Sequence, residues 1–160
     1  GYTNAKGQAV EGLGGGFPVG VCLTTAKAGA GMTAGTHGST FGGNPLATAV
    51  VNATLDIVLD PGFLPHVNEL AGYLRAKLEA IAKRHPKVIA EVRGTGLMIG
   101  LKTVPVNSDV VKALTEEGML TVTAGENVIR LLPPLTIERQ HADEACDKIE
   151  RVCRKLTTAP

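Results

Sequence analysis

The stretch VIAEVRGTGLMIGLKT, from Val88 to Thr103, contains two short apolar runs on either side of a Gly-Thr-Gly sequence. Short apolar runs that are rich in valine and isoleucine and bounded by glycine are typical of strands. We therefore predict strands at Val88–Val92 and Leu97–Thr103. The glycines between them predict a bulge or a tight corner in the chain.

A long helical pattern comes just before these strands. From Leu64 to His85, apolar residues recur three or four positions apart, which predicts an amphipathic helix that His85 and Pro86 end. Its predicted buried face consists of Val67, Leu70, Ala71, Leu74, Leu78 and Ile81.

The other elements follow from caps, turns and periodicity. Asn44 and Pro45 are a good N-cap and a good first helical residue, and the helix they open is so apolar that we expect it to be buried, by a second layer or by another chain. The remaining predictions are a strand at Val19–Leu23, a helix from Ser108 to Gly118, a hairpin of strands Leu120–Thr123 and Val128–Leu132, and a last helix with a stripe of Ala145, Ile149, Val152 and Leu156.

The predicted fold class is α+β. From Asn44 onward the order is helix, helix, two strands, helix, two strands, helix, which favours helices on one face of a small, mostly antiparallel sheet. At 160 residues the chain is one domain, or one domain with a piece of another.

Composition excludes several classes of function. The 16 basic and 15 acidic residues nearly cancel, so no basic face indicates nucleic acid. No apolar run approaches the ~18 residues of a membrane span, and no signal-peptide core is visible, so we expect a soluble protein. The three cysteines form no CxxC pair and the histidines are scattered, which argues against a disulfide framework and a metal site and favours a reducing cytoplasm.

Three segments are candidates for binding. In THGSTFGGNP, Thr36 to Pro45, the hydroxyls of Ser39 and Thr40 stand beside glycines just before a helix N-terminus, an arrangement that suits a phosphate. A polar loop capped by Asn44 is the equally weighted alternative. The glycine-rich run Val10–Gly20 allows backbone N–H groups to approach a ligand, but it is also typical of a mobile loop.

Arg130 is the third candidate. It lies in NVIRLLPPL, inside an otherwise apolar strand, where an unpaired guanidinium is costly, so it must find an anion or reach solvent. Arginine binds a carboxylate through two parallel hydrogen bonds. An outward-facing arginine on an edge strand is the alternative.

Four motifs together resemble a known family. GLGGGFPVG, GTHGSTFGGNPLA, VRGTGLMIGL and VIRLLPPLTI occur in the order found in the acetylornithine aminotransferase branch of the class III pyridoxal-phosphate-dependent aminotransferases. The resemblance covers about residues 11–156 and only the C-terminal portion of that family. It implies the small C-terminal α+β domain of the type I aminotransferase fold for residues 46–160, and a loop-rich remnant of the large cofactor-binding domain for residues 1–45.

The resemblance also implies site residues. Ser39 and Thr40 correspond to the loop that reaches the cofactor phosphate, with Thr40 serving the neighbouring subunit of a homodimer, and Arg130 corresponds to the arginine that binds the substrate carboxylate. The family's Schiff-base lysine directly precedes GLGGGFP, and Glu11 stands there in this chain. A carboxylate forms no imine, so no catalytic residue is assigned; Lys6 replaces that lysine only if five residues are inserted.

Three hypotheses about function follow. The resemblance implies transfer of an amino group between N-acetylornithine, or a related ω-amino acid, and 2-oxoglutarate through pyridoxal 5′-phosphate in arginine biosynthesis, with this chain a fragment that is inactive alone. The alternative is a non-catalytic truncated paralogue that acts as an anion-binding or dimerisation module. A third is an unrelated small α+β phosphate-binding domain. We expect small-molecule amino and 2-oxo acid ligands, and neither nucleic acid nor membrane.

Overall fold

The structure is a computed structural model that describes residues 13–158 in full and the backbone of Tyr2–Thr3 and Ala9–Val10. The chain divides into two compact units, Gly1–Phe63 and Leu64–Pro160. The strands are β1 Tyr2–Thr3, β2 Ala9–Val10, β3 Ile89–Thr95, β4 Met98–Thr103, β5 Val122–Ala124 and β6 Val128–Leu131. The helices are α1 Ala26–Gly29, α2 Pro45–Val58, α3 Phe63–Arg84, α4 Asn107–Glu116 and α5 Arg139–Thr158.

The second unit contains a four-stranded antiparallel sheet in the order β3-β4-β6-β5, which confirms the α+β class. In its first hairpin Thr95 pairs with Met98, so the tight corner lies at Gly96 and Leu97 and β3 runs on through Gly94. Gly94 has φ +117°, and a Cβ there would collide with the carbonyl oxygen of Met98. Only glycine fits this position.

One face of the sheet and the helices α3, α4 and α5 form the core. Ile99 and Leu101 on β4 are fully buried, and Ile129 on β6 is nearly so. On α3 the buried residues are the six that the periodicity predicts. On α5 the prediction was wrong in part: the buried face is Ala142, Cys146, Ile149, Val152 and Cys153. Cysteine behaves as a small apolar residue, and here both thiols take core positions.

Two asparagines hold the second hairpin to the rest of this unit. Asn127 has φ +58°, and its Nδ2 donates to the carbonyl oxygens of Thr103 and Pro105 at 2.7 and 2.8 Å. Its Oδ1 accepts from the backbone N–H of Asn107 at 2.8 Å. The predicted start of α4 at Ser108 was wrong, because Asn107 begins the helix and its side chain donates to Ala124 and Val128 across the sheet.

The first unit differs more from its prediction. Instead of a strand at Val19–Leu23, only Val21 makes an isolated bridge, and Leu23 is 80% exposed. An apolar run becomes a buried strand only where a ladder of neighbouring strands covers it. Helix α2 begins as predicted, with Asn44 Oδ1 accepting from the Ala47 N–H at 2.9 Å. It is not buried, since Ala47 is its one buried residue.

Among the described residues, no single helix is both long and apolar enough to cross a membrane; α2 and α3 have that length and composition only when taken together, as a bent pair. Within the same residues, no group of three or more histidine, cysteine, aspartate or glutamate side chains is placed to hold a metal ion.

Candidate functional site

The loop before α2 presents two hydroxyl groups. Ser39 and Thr40 are exposed, and neither hydroxyl has a hydrogen-bond partner within residues 13–158. Gly42 N–H donates to the Ser39 carbonyl at 3.3 Å, and Asn44 N–H donates to that of Phe41 at 3.3 Å, so the loop turns tightly ahead of the helix. Both hydroxyls are therefore available to an outside acceptor.

A cavity of about 480 Å³ lies beside this loop in the first unit. Its walls include Ser39, the Phe41–Asn44 turn, Pro18–Val21 and the first two turns of α2. The helix end itself offers few donors, because Pro45 has no N–H and Asn44 already binds that of Ala47. An anion here depends on the hydroxyls and loop amides more than on the helix dipole.

Arg130 lies on the solvent-facing side of the sheet in the second unit. Strand register places it opposite Gly100 on β4, and Gly100 is in turn opposite Arg93 on β3. Directly paired residues of antiparallel strands point to the same face. The row Arg93, Gly100, Arg130 therefore crosses one face of the sheet. Its two arginines stand on either side of a glycine, which has no side chain.

This row forms the floor of a groove of about 350 Å³. A Cβ at Gly100 would lie 3.0 Å from Val128 Cγ1 and 3.4 Å from Arg93 Cγ, so a side chain there would fill the space between the arginines. Within the described residues, Arg130 makes no hydrogen bond or ion pair. Its exposed guanidinium lines the groove. The alternative prediction, an outward-facing arginine on an edge strand, is therefore correct about exposure. It is wrong about the strand, because β6 lies inside the sheet.

Arg93, by contrast, is already paired. Its Nη1 donates to Glu126 Oε2 at 2.9 Å, and its Nε is 3.9 Å from Glu91 Oε2. The hydrogen bond from Arg93 holds the pKa of the Glu126 carboxyl below its ordinary value. The two arginines that line the groove thus differ. Arg93 is paired with a carboxylate, and Arg130 has no such partner among the described residues.

Sequence reasoning singled out Ser39, Thr40 and Arg130 as candidates but did not indicate the residues around Arg130. Arg93, Gly100 and Glu126 are seen only once the strands are aligned, and the signal for them was the Gly-Thr-Gly hairpin, which fixes that alignment. Ser39 and Thr40 lie in the first unit and Arg130 in the second. Glu11 and Lys6 lie outside the described residues.

Comparison with known proteins gives one consistent result. Residues 8–153 match the family pattern described as aminotransferase class-III. The chain is 49% identical to acetylornithine aminotransferase 1 of Bradyrhizobium diazoefficiens over 159 residues, which cover 99% of this chain and 39% of that protein. It is 52% identical to the acetylornithine aminotransferase of Mesorhizobium japonicum over 149 residues, 93% of this chain and 37% of that protein.

Solved structures agree. The crystal structure of acetylornithine aminotransferase from Elizabethkingia anophelis superposes with a TM-score of 0.71 at 34% identity, over 77% of this chain and 33% of that one. The ornithine delta-aminotransferase of Plasmodium falciparum gives a TM-score of 0.73 at 28% identity, over 80% of this chain and 34% of that one. The chain thus spans less than half the length of the relatives that it matches.

Proposed function

The chain belongs to the class-III aminotransferases, a pyridoxal-phosphate-dependent family, and we propose that it carries phosphate-binding and carboxylate-binding residues of such an enzyme. The proposed reaction moves an amino group between N-acetylornithine, or a related ω-amino acid, and 2-oxoglutarate in arginine biosynthesis. The names of the similar proteins support this choice of substrate. We assign residues 1–45 to the large cofactor domain and residues 46–160 to the small C-terminal domain.

The free guanidinium of Arg130 is the observation that carries the proposal. A cation on an otherwise apolar strand, with no partner among the described residues and beside an open groove, is suited to an incoming carboxylate. Both proposed substrates carry an α-carboxylate. The planar fork of Arg130 orients that group through two parallel hydrogen bonds and so sets the direction of the rest of the molecule.

Ser39 and Thr40 supply the second contact. Their exposed, unpaired hydroxyls donate hydrogen bonds to phosphate oxygens, and the loop amides beside them add further donors. Pyridoxal phosphate, when bound, supplies the electron sink for amino transfer. In a homodimer, which we propose as the assembly, Thr40 reaches the phosphate of the neighbouring subunit, and its exposure in a single chain suits that role.

One sequence feature favours the second candidate, a non-catalytic module that binds without turnover. Glu11 occupies the position where the family has its lysine, and a carboxylate cannot attach the cofactor covalently. Incubation with pyridoxal phosphate, borohydride reduction and peptide mass spectrometry separate the two candidates. One stoichiometric lysine adduct, at Lys6 or Lys27, supports an active site in this chain; its absence supports binding alone.

A titration tests the carboxylate assignment directly. The ¹⁵N-labelled chain is titrated with 2-oxoglutarate while the Nε–H resonance of Arg130 is followed by NMR. We expect that resonance to move, and Arg130→Met to weaken binding at least about tenfold, because two charge-assisted hydrogen bonds are lost. Arg151→Met, which removes an arginine of α5 that lies 2.8 Å from Glu117 at the end of α4, is the matched control. Unchanged affinity in Arg130→Met would refute the assignment.

A further inference from the structure

Gly100 is a glycine that its own backbone does not require. Gly94 and Gly96 of the same hairpin have φ angles of +117° and +56°, but Gly100 is not among the residues with positive φ. The strand register is regular on both sides of Gly100, so no bulge explains it either. Glycine inside a strand weakens it and often marks a place where a ligand approaches the backbone closely. The reason for a glycine here therefore lies in the space above the strand.

A side chain at position 100 would meet neighbouring side chains first. The two atoms nearest to a Cβ there are Val128 Cγ1 at 3.0 Å and Arg93 Cγ at 3.4 Å. A small shift of these side chains would admit a methyl group, so we expect the fold to tolerate alanine at a modest cost in stability. The main effect of an added side chain would be to fill the floor of the groove between Arg93 and Arg130.

The two neighbours of Arg130 on this face of the sheet differ in size. On β5, Val122 pairs with Arg130 and carries a branched side chain. On β4, Gly100 pairs with Arg130 and carries none. The groove lies on the Gly100 side, since its walls include Gly100 and, beyond it, Arg93. A ligand whose carboxylate is bound to Arg130 therefore has room for its carbon chain above Gly100.

We propose that Gly100 is a specificity-determining residue: because it has no side chain, the groove admits carboxylates whose carbon chain lies across β4 beside Arg130. The inference rests on the proposed function of Arg130. A side chain at position 100 would take the place of that carbon chain. No atom of Arg130 is among the nearest neighbours of a Cβ there, so the guanidinium itself would stay accessible. Such a variant should discriminate against 2-oxoglutarate but still bind a carboxylate that has no carbon chain.

The test compares Gly100→Ala and Gly100→Val in the full chain. Each is titrated with 2-oxoglutarate and with formate while the Nε–H resonance of Arg130 is followed by NMR. We expect Gly100→Val to weaken binding of 2-oxoglutarate at least about tenfold, the effect of a group of the wrong size in a pocket, and Gly100→Ala to weaken it less. Formate carries a carboxylate and no carbon chain, so both variants should bind it as the wild type does.

Gly72→Ala is the matched control, because Gly72 is exposed on α3 and a Cβ there meets nothing within 4 Å. Urea denaturation establishes that each variant is folded, and Gly100→Ala decides the matter if Gly100→Val is not. An equal loss of affinity for 2-oxoglutarate and formate would mean damage to Arg130 or to the fold, and it would overturn the inference. Unchanged affinity for 2-oxoglutarate in a folded variant would overturn it as well.

Failure of the proposed function looks different. If Arg130→Met binds 2-oxoglutarate and formate as tightly as the wild type, Arg130 is not the carboxylate anchor, and the inference about Gly100 fails with it. If Arg130→Met loses both ligands while Gly100→Val keeps its affinity for 2-oxoglutarate, the proposed function stands and only the inference about Gly100 fails.

Discussion

Replacement of Glu150 by glutamine should make the stability of the chain less dependent on acid pH. Glu150, on α5, accepts hydrogen bonds from Arg84 Nη2 at 2.6 Å and lies 2.8 Å from the Nε2 of His85, both at the end of α3. Arg154 approaches it to 3.4 Å. These contacts, the hydrogen bond from Arg84 foremost, lower the pKa of Glu150 from its ordinary 4.5 to about 2.

The direction of this pH effect on stability follows from the linkage between proton binding and folding. A carboxyl whose pKa is depressed in the folded state stabilises the fold above its unfolded pKa, and this contribution is lost as pH falls toward the folded pKa. A fall from 4.5 to about 2 corresponds to about 3 kcal/mol without solvent screening. Because the Glu150 side chain is 15% exposed and that of Arg84 is 56% exposed, we expect about 1–2 kcal/mol.

Urea denaturation of the wild type and Glu150→Gln between pH 5.5 and pH 3 measures this difference. The difference between the two proteins isolates Glu150 from the other carboxyls that titrate in this range, among them Glu117, whose pKa is also lowered to about 2. The wild type should be more stable by about 1–2 kcal/mol at pH 5.5, and about half of that advantage should be lost by pH 3. Glu79→Gln, whose nearest arginine is 3.8 Å away, is the control. A difference independent of pH would refute the reasoning.

Three further predictions address the fold. Asn127→Gly keeps the left-handed backbone but removes the side-chain hydrogen bonds, and it should lower the free energy of unfolding by about 1–3 kcal/mol in urea. Leu78→Ala should lower it by about 2–5 kcal/mol, because Leu78 is fully buried. Cys22 alone should react with iodoacetamide at pH 8, as checked by mass spectrometry, since burial raises the pKa of Cys146 to about 11 and of Cys153 to about 12.

The second unit was predictable from sequence because its signals are local and agree with one another. The buried face of α3 follows from the 3.6-residue period alone, and the first hairpin follows from two apolar runs around Gly94 and Gly96. The first unit was less predictable, because the run Val19–Leu23 has the composition of a strand but forms only an isolated bridge, at Val21. Composition predicts that a segment should be buried, but it does not predict which strand, helix or chain covers it.

The same distinction explains the exposed helix α2. Its sequence is apolar on nearly all sides, yet Leu46 and Ile57 are 62% and 57% exposed in the single chain. Isolated apolar side chains on a surface are ordinary, but a helix that exposes several is typical of an interface. The sequence predicted that another layer or chain would cover the apolar side chains of α2, and our proposed homodimer would cover part of them.

The groove beside Arg130 depends on strand register more than on any one motif. Arg130 faces solvent because β6 pairs with β4 so that Arg130 is opposite Gly100. A slip of one residue would turn the arginine toward the buried face, where an unpaired guanidinium is costly, and would expose Ile129. The hydrogen bonds of Asn127 to Thr103 and Pro105 oppose that slip, because they tie the start of β6 to the end of β4. The hydrogen bonds of Asn127 therefore stabilise the turn and also keep Arg130 on the groove face of the sheet. A variant that loses them should weaken the proposed carboxylate binding as well as lower the free energy of unfolding.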